Sequence, residues 1–280
     1  MDIQELFENA KFKLDEVEYL NHYTNLESLH YILRNKSLKL SRIDKVNDLI
    51  EHSRMDVFED RKGFVSCFTR RQKESFFFWK VYSHKQEKDI GIRISFPSEI
   101  ASLNEFFFDP ECTRPIPFTE ISDIQHCSYN LEEDWGFRHF GFYNVVYIDD
   151  LAELKYEDTE LKEFLKDCVT ACRLSPEKHH LPCIVKTKEW DSEEEVRITV
   201  FLRPKGQETV PARTCFGNDI YPQPFFDNIY LKLTPSLLEN CVFTISPFNS
   251  TSYNMVAESI LRLASVSPSN IVRSLMAVRL

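Results

Sequence analysis

Strict alternation of apolar and polar side chains, in two separate stretches, does most to narrow the folds open to this chain. In "DIGIRISFP", residues 89–97, Ile90, Ile92, Ile94 and Phe96 fall on one face of an extended segment, and Gly91, Arg93 and Ser95 on the other. In "EEEVRITVF", residues 193–201, Val196, Ile198 and Val200 share one face, and Glu193, Glu195, Arg197 and Thr199 the other. A period of two marks a strand with one face on a core. Further strands are expected in "VEYLNHY", "SLKLSRI", "FVSCFT", "YNVVYID", "NIYLKL" and "CVFTISP", with a last one near residues 274–280. "PCIVKTKEW" is expected to pair with the strand that follows it. Helical patterns cover about residues 2–11, 25–34, 74–83 and 158–174, and "SYNMVAESILRLAS". Strands dominate the middle, and helices sit at both ends and between. That order predicts an α+β fold, with mostly antiparallel central sheets and flanking helices, rather than a βαβ alternation. A single domain over 1–280 is expected. Its core spans about 18–203, with an irregular insertion at about 97–142 and a C-terminal strand-helix extension at 204–280.

The 280 residues are 42% hydrophobic, enough to bury a substantial core. Only 6 are glycine. Loops that cradle phosphates need glycine for positive φ and close backbone approach. Neither G-x-G-x-x-G nor G-x-x-x-x-G-K-[ST] occurs, which argues against a Rossmann dehydrogenase, a protein kinase and a P-loop ATPase. A net charge of −10 argues against generic nucleic-acid binding. The densest basic stretch, "TRRQK", reads as a solvated loop. The N-terminal residues have no basic region followed by an apolar run, and no stretch approaches the ~18 apolar residues of a membrane span. The 8 cysteines therefore read as reduced thiols, and the expected location is cytoplasmic with no membrane partner.

Chemistry-bearing residues concentrate in a few places. Thr24 with Glu27 forms a Thr-x-x-Glu capping box at a helix start, which leaves His22 and Tyr23 just before it unexplained. On a strand, Glu193, Glu195 and Arg197 stand in one row with neighbours roughly 7 Å apart. Two close carboxylates can divide labour, one ionised and one tuned as acid or base. A solvated edge strand with a Glu195–Arg197 ion pair explains the same spacing. In "FFFWKVYSHK", Phe77, Trp79 and Tyr82 can stack on a flat ligand or form a core stripe. Ser and Asn in "FNSTSYN" read as helix caps. Cys168, Cys172, His179, His180 and Cys183 lack the knuckle spacing of a zinc site, so no metal is expected.

The order "HYT" plus helix, "KVNDLIE", "SCFT", W-x-x-Y plus "GIRISF", and W-x-x-E-x-E-x-R resembles the bacterial family called domain of unknown function 2971. The resemblance runs over roughly residues 20–200. It rests on His22, Tyr23 and Thr24, on Asn47, Asp48 and Glu51, and on Cys67 and Phe68. It continues through Trp79, Tyr82, Gly91 and Phe96 to Trp190, Glu193, Glu195 and Arg197. The chain departs from the family pattern at Leu49, and "SHKQEKDIG" is longer than the usual spacing. The family implies no activity.

An early His, a middle aromatic and a late Glu-x-Glu are also similar to the His-Tyr-Glu layout of ADP-ribosyltransferases. That likeness implies an ADP-ribosyltransferase-like core acting on NAD and an unknown acceptor, in the setting of a toxin or phage-defence effector. It makes Glu195 the stabiliser of an oxocarbenium-like ribose and Glu193 the group that orients the acceptor. It gives NAD contacts to His22, Tyr23, Trp79, Tyr82 and Arg197. The alternatives are a non-catalytic module that binds a nucleotide or peptide, and a metal-free hydrolase using the two carboxylates.

Overall fold

The computed structural model describes residues 9–13, 17–46, 63–84, 86, 88–103, 105–107, 116–117, 135–148, 183–204 and 227–276. The helix expected over 158–174 and most of that over 2–11 lie outside these residues. So do Asn47, Asp48, Glu51, Cys168, Cys172, His179 and His180.

The architecture is α+β, with one large and largely antiparallel sheet and few helices. Strand β1 (Tyr19–Asn25) runs into helix α1 (Leu26–Asn35), which returns as β2 (Ser37–Arg42). Then come β3 (Gly63–Thr69), the short helix α2 (Phe76–Phe78) with a π turn over Trp79–Ser83, and β4 (Gly91–Pro97). β5 (Glu105–Phe107), β6 (Ile116–Pro117), β7 (Trp135–Asn144), β8 (Val146–Ile148) and β9 (Val185–Thr187) follow, then β10 (Glu195–Pro204) and β11 (Asn228–Lys232). The chain closes with α3 (Pro235–Asn240), β12 (Val242–Ile245), α4 (Thr251–Leu263) and β13 (Ile271–Arg273). Among the described residues the strand order is β13-β12-β4-β1-β3-β2-β11-β5-β6, and β10 joins β3 to β7. Only β12–β13 is parallel within that sheet, and β8–β9 form a separate parallel pair.

β3 is where the sheet divides. It pairs with β10 along its whole length, from Glu195↔Thr69 to Phe201↔Gly63. On its other edge it meets β1 only at Asn21↔Thr69 and β2 only at Ser41↔Val65 and Arg42↔Phe64. Between those contacts the strands fork, and a backbone carbonyl there needs another partner. The His22 imidazole supplies it, with Nδ1 2.9 Å from the Cys67 carbonyl oxygen.

Alternation then assigns the faces. Leu20, Ile92, Ile94, Phe96, Phe68, Val196, Ile198 and Val200 build the main core, closed by Leu29 and Ile32 of α1 and by Ala257 and Leu261 of α4. The opposite face of β3 and β10 is covered as well. Ala10, Ile43, Val65, Val146, Cys183 and Ile184 form a smaller apolar cluster there. A third cluster stacks Tyr23, Phe78 and Trp79. No helix among the described residues is long and apolar enough to cross a membrane.

Several local expectations change. Helix α1 is capped by Asn25, whose side chain accepts from the Ser28 N–H at 2.9 Å, so the Thr24–Glu27 box does not form. Thr24 is instead a buried strand residue. β9 pairs with β8 and not with β10. β10 starts at Glu195, because Lys188–Glu193 is a 3-10 helix. The last described strand is Ile271–Arg273. β10 is no solvated edge either: β7 pairs along its outer side.

Candidate functional site

Four charged side chains meet out of solvent over the polar face of β10, two from β10 itself, one from β9 and one from the 3-10 turn before β10. Glu195 is 5% exposed, Arg197 1%, Glu193 1% and Lys186 5%. Arg197 grips Glu195 through two nitrogens, Nε at 2.8 Å and Nη2 at 3.2 Å, and its Nη1 donates to the Cys183 carbonyl at 2.6 Å. Lys186 Nζ lies 2.8 Å from Glu195 Oε2 and 2.9 Å from Glu193 Oε2. The Tyr82 hydroxyl donates to Glu193 Oε1. Two carboxylates thus face two cations, and the cluster is neutral. Neutrality with full pairing lets such groups be buried, because an isolated buried charge costs several kcal/mol.

Glu194 makes the convergence possible. It sits in the left-handed region at φ 44° and ψ 50°, between the 3-10 turn and β10. A non-glycine residue there is strained. The kink turns Glu193 inward, so both carboxylates reach one lysine instead of standing in a strand row. The Glu193 backbone is pinned by the Thr69 hydroxyl, which donates to its carbonyl at 2.6 Å. The Tyr147 hydroxyl accepts the Glu195 N–H at 2.9 Å.

The two acids are tuned in opposite directions. Burial raises the Glu193 carboxyl above its ordinary value, with Lys186 pulling against it and the Glu195 charge adding to the rise. Burial opposes ionisation of Glu195 too, but the Arg197 guanidinium and the Lys186 ammonium outweigh it and hold that carboxyl well below the usual range. Burial, followed by the charge of Glu193, pushes the Tyr82 phenol up. The Cys67 thiol is raised by burial and then by Glu195. Tyr82 therefore stays a neutral donor, Glu195 a fixed anion, and Glu193 the group best placed to take a proton.

The seven residues singled out from the sequence do not all meet. Glu193, Glu195, Arg197 and Tyr82 converge. Trp79 is fully buried, its Nε1 donating to Glu74 Oε2 at 3.0 Å, and its ring lies edge-on to Tyr23 at 4.9 Å. Both belong to the third cluster and act as packing beneath Tyr82. His22 is separated from the acids by the sheet. Asn21, Thr69 and Glu195 stand in one cross-strand row and point to one face, so His22 points to the other, its ring 5.6 Å from Phe68 of the main core.

Lys186 and Trp190 complete what the sequence spacing missed. Lys186 Nζ lies 5.0 Å from the Trp190 ring centre, a cation–π contact. Phe77, 41% exposed, reaches Trp190 and Tyr82 with ring centres 6.4 Å away in each case. These three rings form an aromatic rim on the outer side of the ionic cluster. Trp190 carried a signal in the W-x-x-E-x-E-x-R motif. Lys186 carried none, since it sits in an unremarkable "VKT". Comparison with protein-family models, curated proteins and solved structures finds no match.

Proposed function

We propose that this chain is a binding module for a nucleotide of the NAD type, with the flat ring on Phe77, Tyr82 and Trp190. The carrying observation is the aromatic rim set directly against the Lys186–Glu193 pair. Flat π systems stack on exposed aromatic faces, and the Lys186 and Glu193 pair behind them holds Tyr82 and Trp190 in place through a hydrogen bond and a cation–π contact.

Turnover of NAD by an ADP-ribosyltransferase-like core is the second reading. It is favoured by the unequal tuning of Glu193 and Glu195, which suits one proton-transfer group and one fixed charge. Two facts weigh against it. Glu195 is already neutralised by Arg197 and Lys186, which leaves little charge for an oxocarbenium-like ribose. His22 lies across the sheet from it. The hydrolase reading meets the first objection equally. The likeness to domain of unknown function 2971 and the cytoplasmic setting fit a binding module as well as an enzyme, and neither names an acceptor.

The test is calorimetry with NAD up to millimolar concentration, with released nicotinamide assayed in parallel. Binding without nicotinamide release supports the module. Trp190→Ala should weaken it by roughly ten- to a hundredfold, as loss of one stacking partner does. Nicotinamide release that disappears in Glu193→Gln supports turnover instead. No heat and no release remove NAD as the ligand.

A further inference from the structure

The basic stretch "TRRQK" borders the aromatic rim, and it is not the free loop its sequence reads as. Its backbone is pinned at each residue from Arg70 to Gln72. The Arg70 N–H donates to the Glu194 carbonyl at 3.1 Å, and the Arg71 N–H to the Thr69 hydroxyl oxygen at 3.1 Å. The Arg70 carbonyl accepts from Gln72 Nε2 at 2.7 Å, the Arg71 carbonyl from Asn21 Nδ2 at 2.8 Å, and the Gln72 carbonyl from Arg93 Nη1 at 3.5 Å. Gln72 Nε2 also donates to the Tyr19 carbonyl at 2.9 Å.

We propose that Arg71 and Lys73 form the phosphate subsite for the nucleotide whose ring lies on Phe77, Tyr82 and Trp190. The proposal rests on the ring reading above and adds a place for the ligand's negative charge. Arg71 Nη1 donates to the Ser192 carbonyl at 2.7 Å, and Ser192 stands two residues after Trp190 in the same 3-10 turn. At ~2.0 Å of rise per residue, that is about 4 Å along the turn. Lys73 precedes Phe77 by four residues on the same stretch of chain. Both cations therefore border the rim, one beside each of its outer rings.

Local charge favours an anion there, in a chain whose net charge is −10. Lys73 is exposed and makes no ion pair among the described residues. Glu194 is the competing acid, 3.7 Å from both Arg70 Nε and Arg71 Nε and beyond hydrogen-bond reach of either. Such an exposed contact contributes little, whereas a phosphate takes charge-assisted bonds from a guanidinium fork. Glu74 is engaged elsewhere, its Oε2 accepting from Trp79 Nε1 and from the Ser274 hydroxyl. Beneath the loop, Arg93 is half-buried, donates to the Thr244 hydroxyl at 3.1 Å and has no carboxylate partner among the described residues. Arg42, Lys186 and Arg197, also withdrawn from solvent, each face an acid. The unbalanced Arg93 charge adds to that of the loop.

A pinned backbone also lowers the ordering cost of binding, since only the two side chains have to settle on the anion. Stacking then holds one end of the nucleotide and charge the other. The phosphates should therefore set the affinity and make it sensitive to salt, because the cations are exposed.

The experiment titrates the full chain with NAD, ADP, adenosine and inorganic pyrophosphate by calorimetry, at low and high salt. We expect ADP to bind roughly tenfold more tightly than adenosine, with the gap narrowing as salt rises. Lys73→Met should weaken ADP and NAD roughly fivefold more than adenosine. Arg71→Met should remove most of the remaining gap. Because it also releases the Ser192 carbonyl, Lys73→Met is the deciding variant. Equal affinities for ADP and adenosine, or an unchanged ratio in folded Lys73→Met, overturn the subsite and leave the ring reading standing. Pyrophosphate binding that Lys73→Met weakens, with no binding of NAD, supports the subsite and removes the ring reading. No binding of any of these ligands overturns both.

Discussion

The two faces of β10 are equally dry and chemically opposite. Val196, Ile198 and Val200 are 0% exposed against the aliphatic core. Glu195, Arg197 and Thr199 are at most 5% exposed against Lys186 and the second cluster. The first face is stabilised by area removed from water, which tolerates exchange of one apolar shape for another. The second depends on a closed set of partners, where each removal strands a charge. Burial alone therefore says little about what a residue contributes, and the two faces should respond differently to substitution.

The largest effect should come from Arg197→Ala. It leaves Glu195 with Lys186 alone and uncovers the Cys183 carbonyl, at an expected cost of about 3–5 kcal/mol. Denaturant unfolding measures it, and a loss under about 1 kcal/mol would show that the ionic face is solvated.

Ile198→Ala, on the opposite face of the same strand, should cost about 2–4 kcal/mol through lost burial and a residual cavity. Ile198→Val should recover most of that. If Arg197→Lys recovers equally well, the contrast between adaptable and partner-specific faces is wrong, because lysine cannot reproduce the two-nitrogen grip.

A smaller effect separates the two carboxylates by pH. Glu195 has a lowered folded pKa. Its stabilisation is complete above the unfolded value of about 4.3 and is lost as pH falls through the lower folded value. Glu193 has a raised folded pKa, so its charged form is penalised above that value and the penalty lifts as pH falls through it. Glu193→Gln keeps one acceptor oxygen, for Lys186, and turns an amide N–H to the Tyr82 hydroxyl oxygen, which can accept it. It should therefore gain on the wild type as pH rises from about 4 toward neutrality. A stability difference that is flat with pH would contradict the opposite tuning.

The smallest effect lies off both faces. Asn25→Ala removes an exposed cap of α1 and should cost about 1 kcal/mol or less. Thr24→Ala should leave the α1 cap intact. A reversal, with Thr24 carrying the cap, would restore the capping box read from the sequence.

Much of the fold was legible because period-two patterning is local. The faces of β4 and β10, the strand from Tyr19 and the amphipathic α1 all follow from side-chain direction along a single segment. The site was legible in part. The motif at residues 190–197 marked Glu193, Glu195 and Arg197, and "FFFWKVYS" marked Tyr82. His22 stood in the same sequence order and yet faces the other side of the sheet, because one residue of register reverses a side chain.

Sequence by itself determined which segments are strands and which of their faces are apolar, since backbone geometry and hydrophobic alternation act within a few residues. Only the tertiary structure decided what lies over the polar face of β10. A lysine from β9, a carbonyl from Cys183 and a hydroxyl from the π turn come from separate segments. Their meeting depends on strand pairing and on the left-handed kink at Glu194. No local pattern encodes it, because partners distant along the chain become neighbours only when the sheet closes.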